Sequence, residues 1–488
     1  MKLCVLHPSY ERSQSAFKGL DPACDPGVHM REHQVDNVFL HKGTGVAEVQ
    51  RLARAGYDAF VNLCDGSWDE DRSGIEVVQA LERLELPFTG AGSRFYDPSR
   101  EVMKLAAGYA GLDTPAFAIM RDETDLAQAA ELRFPLIVKH PNSYSSLGMT
   151  PASRVTNWGA LATEVRRMTE RFGGALVEEF IEGREFTLLV TEPREGEEAS
   201  WVLAPLECRF PPGESFKHFQ LKWLDYGAVG WLPVPDEALR ARLCAASSRF
   251  FAALQGSGYG RCDVRVDHDG RIFMLEINPN CGLFYPEGHY GSADEIVARD
   301  PGGHRGLLEH LLMCAQRRCQ RARRAFEVRF RPGRGFILHA SRDLHEGEVI
   351  DALEERAQHL VTLRHVERVW GEVQREWFER YAYPITSEVY GMWSDDPQDW
   401  RPYEHSCEPS AWLEGLNVVA RRPLLRGEEI SLDYATFCGP LMRAFTCRCG
   451  APNCRGRITG ADNLAPFVER YGHHVSDYVR RVRSGLSP

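Results

Sequence analysis

Apolar and polar positions follow different rhythms along the chain. Over roughly residues 1–315, short apolar runs at 2–6, 59–63 and 136–139 are each followed by polar, loop-like sequence. Between them, Ile75, Val78 and Leu81 recur at helical spacing. Buried strands alternating with helices predict an α/β domain with a parallel sheet. Asp97 followed by Pro98 reads as a helix cap with proline at the first helical position, and Gly111 as its stop. Residues 260–282, GRCDVRVDHDGRIFMLEINPNCG, alternate on both sides of His268-Asp269-Gly270. Asp-Gly supplies the positive φ of a tight turn, so this stretch predicts a β-hairpin. Asp263 lies on its first strand, and Glu276 and Asn278 lie at period two on its second. Three oxygen-bearing side chains then share one face, a set suited to a hard cation such as Mg2+. An exposed acidic hairpin is the bland alternative, but acid interleaved with apolar residues is costly to bury without a partner.

After Phe326 the segments become short and turn-separated, as in a small β domain. The run at 316–324, QRRCQRARR, reads as a helix end and linker with a solvated charged face. Apolar positions from Leu464 to Val482 predict a closing helix, with a frayed tail to residue 488.

A chain of 488 residues predicts two or three domains. With 43% hydrophobic and 26% charged residues it has ordinary globular composition. The net charge of -11 argues against nucleic acid or a membrane surface as main partner. No apolar run has membrane-spanning length, and the opening MKLCVLHPSYERS turns polar too soon for an export signal. Of the 14 cysteines, only Cys447, Cys449 and Cys454 cluster tightly. In a reducing cytoplasm this predicts a metal site rather than bridges.

Lys139 ends a strand before the small-residue loop at 141–148, and VEEFIEGRE (177–185) and the acidic hairpin follow in order. Over residues 1–315 this series resembles the ATP-grasp superfamily, and within it the D-alanine–D-alanine ligase family. The resemblance implies a three-subdomain fold that binds ATP and two Mg2+. Lys104 and Lys139 would contact ATP phosphates, and residues 142–149, with Ser145 and Ser146, would form a lid over them. Glu178 with the backbone of Phe180 and Ile181 would hold adenine, and Glu185 the ribose. Lys222 would reach the phosphates from the opposite side. Asp263, Glu276 and Asn278 would hold Mg2+, and Arg261 would face the transferring phosphoryl group. Family members activate a carboxylate as an acyl phosphate, which an amine attacks. In the amino-acid pocket this chain departs from the family. Its first loop reads His7-Pro8-Ser9-Tyr10-Glu11, leaving Glu11 to meet an amino group, and Asp65-Gly66 stands where the family has His-Gly.

The second half carries Glu404-His405-Ser406-Cys407-Glu408-Pro409, then GEEISLDY ending at Tyr434, then CRCGAPNCRG from Cys447. Over residues 326–460 these resemble a SET-domain methyltransferase with a post-SET cysteine cluster. The resemblance implies that Cys407, Cys447, Cys449 and Cys454 hold Zn2+. Gly333, Arg334, Gly335, Phe336 and His405 would wrap S-adenosylmethionine, and Tyr434 would place its hydroxyl beside the methyl group. Glu404 and Ser410 stand where the family has asparagines.

The expected architecture is an α/β ATP-grasp domain (1–315), a basic linker (316–325), a mainly β SET and post-SET domain (326–460) and a C-terminal helix (461–488). The expected function is an ATP- and Mg2+-dependent carboxylate–amine ligase fused to an S-adenosylmethionine-dependent SET methyltransferase. Its partners would be small amino-acid or peptide substrates, not nucleic acid or membrane, with room for a homodimer, and its location the cytoplasm. Two alternatives are a ligase carrying a non-catalytic SET scaffold, and a protein-lysine methyltransferase with a regulatory ATP-grasp portion.

Overall fold

The computed structural model describes residues 1–15, 18–68, 70–142, 146–322, 324–355, 359–392 and 401–486. The chain divides into two compact units, Met1–Ala322 and Arg323–Pro488.

The first unit holds three sheets. β1 (Lys2–Pro8), β2 (Gln34–Leu40) and β3 (Ala59–Asn62) run parallel in the order β2-β1-β3. Leu3 to Leu6 of β1 are buried, so its run lacks polar alternation. Helices Gly45–Leu52 and Ile75–Arg83 bury Val49, Leu52, Val78 and Leu81 with this sheet. The next helix starts two residues later than Asp97-Pro98 implies. Ser99 is its cap, accepting from the Val102 N–H, and it runs Arg100–Tyr109.

The second sheet joins β4 (Phe117–Met120), β5 (Leu136–Lys139), β6 (Arg154–Val155) and β7 (Ala175–Glu179) in the order β4-β7-β5-β6. It is antiparallel, so the parallel pairing expected from strand–helix alternation holds only for the first sheet. Helix Trp158–Phe172 covers it through Leu161, Val165 and Met168. The third sheet comprises β8 (Arg184–Pro193), β9 (Ser200–Val202), β10 (Leu206–Arg209), β11 (Gly230–Pro233), β12 (Tyr259–Val266) and β13 (Ile272–Pro279). Its order is β11-β10-β8-β12-β13, with β9 on β8. Helix Glu237–Ala253 packs Leu243, Phe250 and Phe251 into a core with Phe186, Cys262 and Val264. Gly183 links β7 to β8 at φ +143, where a Cβ would lie 2.1 Å from the Val266 carbonyl oxygen. The basic run begins inside a helix, Gly303–Ala322, rather than in a linker.

The second unit is built from shorter pieces. Phe326–Arg331 and Gly335–Ala340 form a hairpin. Val349–Asp351, Asn417–Ala420 and Ala411–Glu414 form one small sheet, and His359–Thr362, Val389–Met392 and Ala382–Pro384 another. Leu338, Ile350, Val418, Leu424 and Ile430 share its core. Helices Leu363–Val369 and Glu372–Tyr381 interrupt what the turn-rich sequence presents as purely β. The single closing helix expected from Leu464 to Val482 is broken. Gly460–Leu464 and Pro466–Tyr471 are 3-10 turns, and only Asp477–Arg483 is α-helical. Pro466 lacks a donor, Gly472 turns at φ +56, and Ser476 caps the last helix.

Candidate active site and cysteine cluster

The site in the first unit begins with the hairpin β12–β13. Gly270 takes φ +77 in its turn, and the Asp267 side chain accepts from the N–H groups of Asp269 and Arg271. Asp263 stands opposite Glu276, and Arg261 opposite Asn278. A β-bulge intervenes, since Val264 pairs with Met274 and leaves Leu275 as an extra residue. Its effect is decisive. Met274 belongs to the core with Val264 and Val266, and Ile277 belongs to it with Cys262. Were Leu275 paired in the ladder instead of bulged out, period two would keep Glu276 on the same side as Met274. The bulge instead brings Glu276 and Asn278 to the face of Asp263. Asn278 Nδ2 lies 3.3 Å from Glu276 Oε1 and 3.5 Å from Asp263 Oδ2. Two carboxylates and an amide are a hard-oxygen donor set and fit Mg2+.

Cations surround these carboxylates. Arg261 Nη2 is 3.0 Å from Asp263 and Lys217 Nζ 3.2 Å, while Arg100 pairs with Glu276. Burial opposes ionisation of Asp263, but Arg261 and Lys217 outweigh it and hold the carboxyl well below its usual range. Glu276 is likewise lowered, burial being overcome chiefly by Arg100. Glu178 is 1% exposed, and each of its oxygens has a lysine at 2.5 Å, Lys104 on one side and Lys139 on the other. Those two charges overcome its burial and depress its carboxyl strongly. Glu185 binds Arg265 at 2.9 Å and Lys217 at 3.0 Å. Lys222 is pulled down to about 7, by burial first and Arg261 second, against the pull of Glu276 and Asp263.

Asp263, Glu276, Arg100, Lys139, Glu178, Glu185, Lys217, Lys222 and Arg265 line one pocket together with Ser146, Phe180 and Ile181, whereas Arg261 and Asn278 line the neighbouring cleft and Lys104 lines neither. Ser146 Oγ donates to the Lys217 carbonyl at 2.7 Å, and the Ile181 carbonyl accepts from Arg265 Nη1 at 2.7 Å. Ser145, and with it residues 143–145 of the expected lid, lies outside the described residues. With the ion pairs made, the pocket encloses about 70 Å³.

Beside it, sharing Lys217 and Lys222, opens a cleft of about 620 Å³. Asp65 lines this cleft, but Glu11 does not. The Glu11 carboxylate is 74% exposed and faces His41 Nε2 at 3.4 Å, because Tyr10, the preceding residue, takes the inward place. Arg72 holds Asp65 at 2.8 Å and Glu70 at 2.7 Å, and it donates to Tyr10 Oη at 2.8 Å. Sequence reasoning missed Arg100, Lys217, Arg265, Asp21 and Arg72. Their roles come from approaches across the fold, and only Lys217, five residues before Lys222, and Arg265, two residues after Asp263, had neighbours to flag them.

In the second unit the Sγ atoms of Cys407, Cys447, Cys449 and Cys454 lie within 4.8 Å of one another. Tetrahedral zinc with bonds of about 2.3 Å needs such mutual spacing, so the donors fit the metal. The Cys407 N–H donates to Cys449 Sγ at 3.5 Å, and the Arg455 N–H to Cys407 Sγ at 3.3 Å. Burial raises Cys449, but the N–H groups of Cys407 and Ala451 prevail and bring it to about 6, toward a thiolate ligand. The groups expected around S-adenosylmethionine fit less well. Arg334 is held by Glu429 at 2.7 and 2.9 Å, with Glu404 at 3.7 Å. An acid therefore already occupies the cation that a cofactor carboxylate would seek. Gly335 sits at φ +88 and Phe336 is 48% exposed against Phe330. His405 accepts from the Tyr434 N–H at 3.2 Å, and Tyr434 donates its hydroxyl to the Tyr403 carbonyl at 2.6 Å. Burial holds His405 at about 4, so it is neutral.

Residues 106–285 match the family described as D-ala D-ala ligase C-terminus. The matched stretch contains Lys139, Glu178, Lys222 and the whole hairpin. A D-alanine–D-alanine ligase from Laribacter hongkongensis (strain HLHK9) is 29% identical over 236 residues, 48% of this chain and 72% of that one. The Bordetella petrii ligase is 29% identical over 245 residues, 49% and 72% of the two chains. The crystal structure of D-alanine–D-alanine ligase from Bacillus anthracis complexed with ATP superposes with TM-score 0.49 at 20% identity, covering 66% of this chain and 98% of that one.

Proposed function

We propose that the first unit is an ATP- and Mg2+-dependent ligase of the ATP-grasp type, joining a carboxylate to an amine. The observation that carries this reading is the convergence of Asp263, Glu276 and Asn278 on one face, ringed by lysine and arginine and open toward a second cleft. A carboxylate is a poor electrophile. Attack of its oxygen on the γ-phosphorus of ATP gives an acyl phosphate and ADP. A neutral amine then displaces phosphate, forming the amide and releasing a proton. Asp263, Glu276 and Asn278 would hold Mg2+, which would supply positive charge against the phosphates. The chain's own part is to arrange cations where charge accumulates, with Arg261, Lys139 and Lys222 placed for that role. Nucleotide entry would require Lys217 to leave Asp263 and Glu185. The likeness to D-alanine–D-alanine ligases supports the chemistry, and the departures at Glu11 and Asp65 fall in the amino-acid cleft. Calorimetry with Mg2+ and a non-hydrolysable ATP analogue tests the reading. Binding in the micromolar range that Glu276→Gln abolishes supports it, and absence of binding by the unaltered protein sinks it.

For the second unit, the cysteine cluster supports a structural zinc site. The motif pattern supports a SET-type module, with Tyr434 and His405 at its would-be methyl-transfer centre. The ion pairs locking Arg334 to Glu429 and Glu404 favour a second reading, a module that scaffolds rather than methylates. Titration with S-adenosylmethionine separates the two, since saturable heat returns the methyltransferase and none leaves the scaffold.

A further inference from the structure

The large cleft is lined by cations, by carboxylates and by apolar rings. Near the hairpin it is walled by Arg261, Lys222, Asn278 and Asn280. Asn280 Nδ2 and Arg261 Nε are buried and have no partner among the described residues. Both residues are more than nine-tenths buried, at 7% and 9% exposure. The positive charge of Arg261 and Lys222 along this wall suits an anionic group of a ligand.

Another part of the lining has the reverse character. Asp21, Asp65 and Glu70 line the cleft with one guanidinium, Arg72, which pairs with Asp65 and Glu70. Asp65 and Glu70 share that cation. Asp21 pairs with no cation among the described residues, and two phenols hold it instead. Tyr10 Oη and Tyr285 Oη each donate to one of its oxygens at 2.7 Å. Neutral hydroxyls fix the carboxylate in place without cancelling its charge. The imbalance shows at Asp65, which is partly open to the cleft: desolvation there pushes it up to about 6, with Asp21 and Glu70 adding to the rise against the pull of Arg72. A carboxylate cluster serving only the fold would have its charge met from within.

Trp223, Val229 and Trp231 also line the cleft and offer a wall for an alkyl stem. The volume of about 620 Å³ falls in the range of pockets that enclose molecules of drug size, roughly 300–1,000 Å³. A substrate with only a methyl side chain would leave most of it empty.

We propose that this cleft takes an amino acid or short peptide with a second cationic group on an alkyl chain, of the lysine or ornithine kind. Its carboxylate would lie toward Arg261 and Asn280, and its distal ammonium against Asp21 beside Asp65. The inference rests on the ligase reading for the chemistry, but its own observations are the cleft's charges and size.

Lysine and norleucine are the matched probes, for they differ by one ammonium. D and L forms of each are titrated calorimetrically into the full chain with Mg2+ and a non-hydrolysable ATP analogue. One lysine enantiomer is expected to bind at least tenfold tighter than either norleucine, and Asp21→Asn to remove that preference. Glu70→Gln, in the same acidic lining, gives a second reading if the first variant folds poorly. Norleucine binding as tightly as lysine, neither ligand binding, or a preference that survives both substitutions would overturn the proposal. The nucleotide titration is scored apart. Nucleotide binding without lysine preference overturns only this inference, and lysine preference without nucleotide binding overturns only the ligase reading.

Discussion

In the first unit the oxygen donors sit on β12 and β13, eight residues each, in the middle and at the edge of a broad sheet. In the second, the four sulfurs sit on turns beside two-residue strands such as Glu404–His405 and Phe445–Thr446. The first site is therefore carried by the main chain. Ladder hydrogen bonds and a shared core set where Asp263 and Glu276 point, whatever they bind. The second has little ladder to rest on, and the ligands themselves must tie its loops together. A scaffolded site can afford to exchange its occupant, whereas a cross-linked one depends on keeping it.

The largest effect should come from removing the cross-link. Structural zinc in small domains is worth of order 10 kcal/mol. Cys449→Ser, or a strong chelator, should let protease cut within residues 326–486 while the first unit stays resistant. Equal resistance before and after chelation would erase the contrast. Next is Glu178→Gln, which leaves Lys104 and Lys139 buried around a neutral amide. Breaking a buried pair from one side costs about 3–5 kcal/mol, so the first unit should melt well below the parent in calorimetry. Third, Glu276→Gln, which takes one partner from Arg100, should lower the melting temperature less than Glu178→Gln yet lower ATP-dependent phosphate release about 10²–10³-fold. A fall in melting temperature as large as that of Glu178→Gln would make Glu276 structural and blur the distinction.

The smallest effect is in pH. Asp65 is raised, so between the ordinary carboxylate range and about pH 6 the folded protein keeps a proton that the unfolded chain has lost. Its contribution to stability therefore falls as pH rises through that window, while its attraction for a cation grows. Lysine affinity should climb by no more than about tenfold from pH 5 to 7, and Asp65→Asn should flatten the curve. A rise that persists in the variant assigns the titration elsewhere.

What could be read from the sequence was what depends on near neighbours. The strands at 2–6, 59–63 and 136–139, the helix through Ile75 and Leu81, and the common face of Glu276 and Asn278 all follow from spacing. The breaks in the final helix were also legible, because Pro466 and Gly472 stand in the apolar run that masked them. Ser99 outranked Asp97 as a cap by two residues, a margin local rules do not resolve. Arg100 on Glu276, Lys217 across Glu185 and Asp263, and Tyr285 on Asp21 depend on segments brought together by folding. The antiparallel middle sheet depends on the same thing, since strand–helix alternation does not fix direction.

Leu275 contributes nothing to the donor set, yet the donor set depends on it. It acts as a phase shifter between two halves of one strand, the first in step with the oily interior and the second with the charged face. A strand that drew Leu275 into the ladder opposite Asp263 would retain all three donors in its inventory, but the Glu276 carboxylate would be aimed at methionine and valine. Counting matching letters would score it as competent. Where the ladder skips a residue carries information that the letters do not.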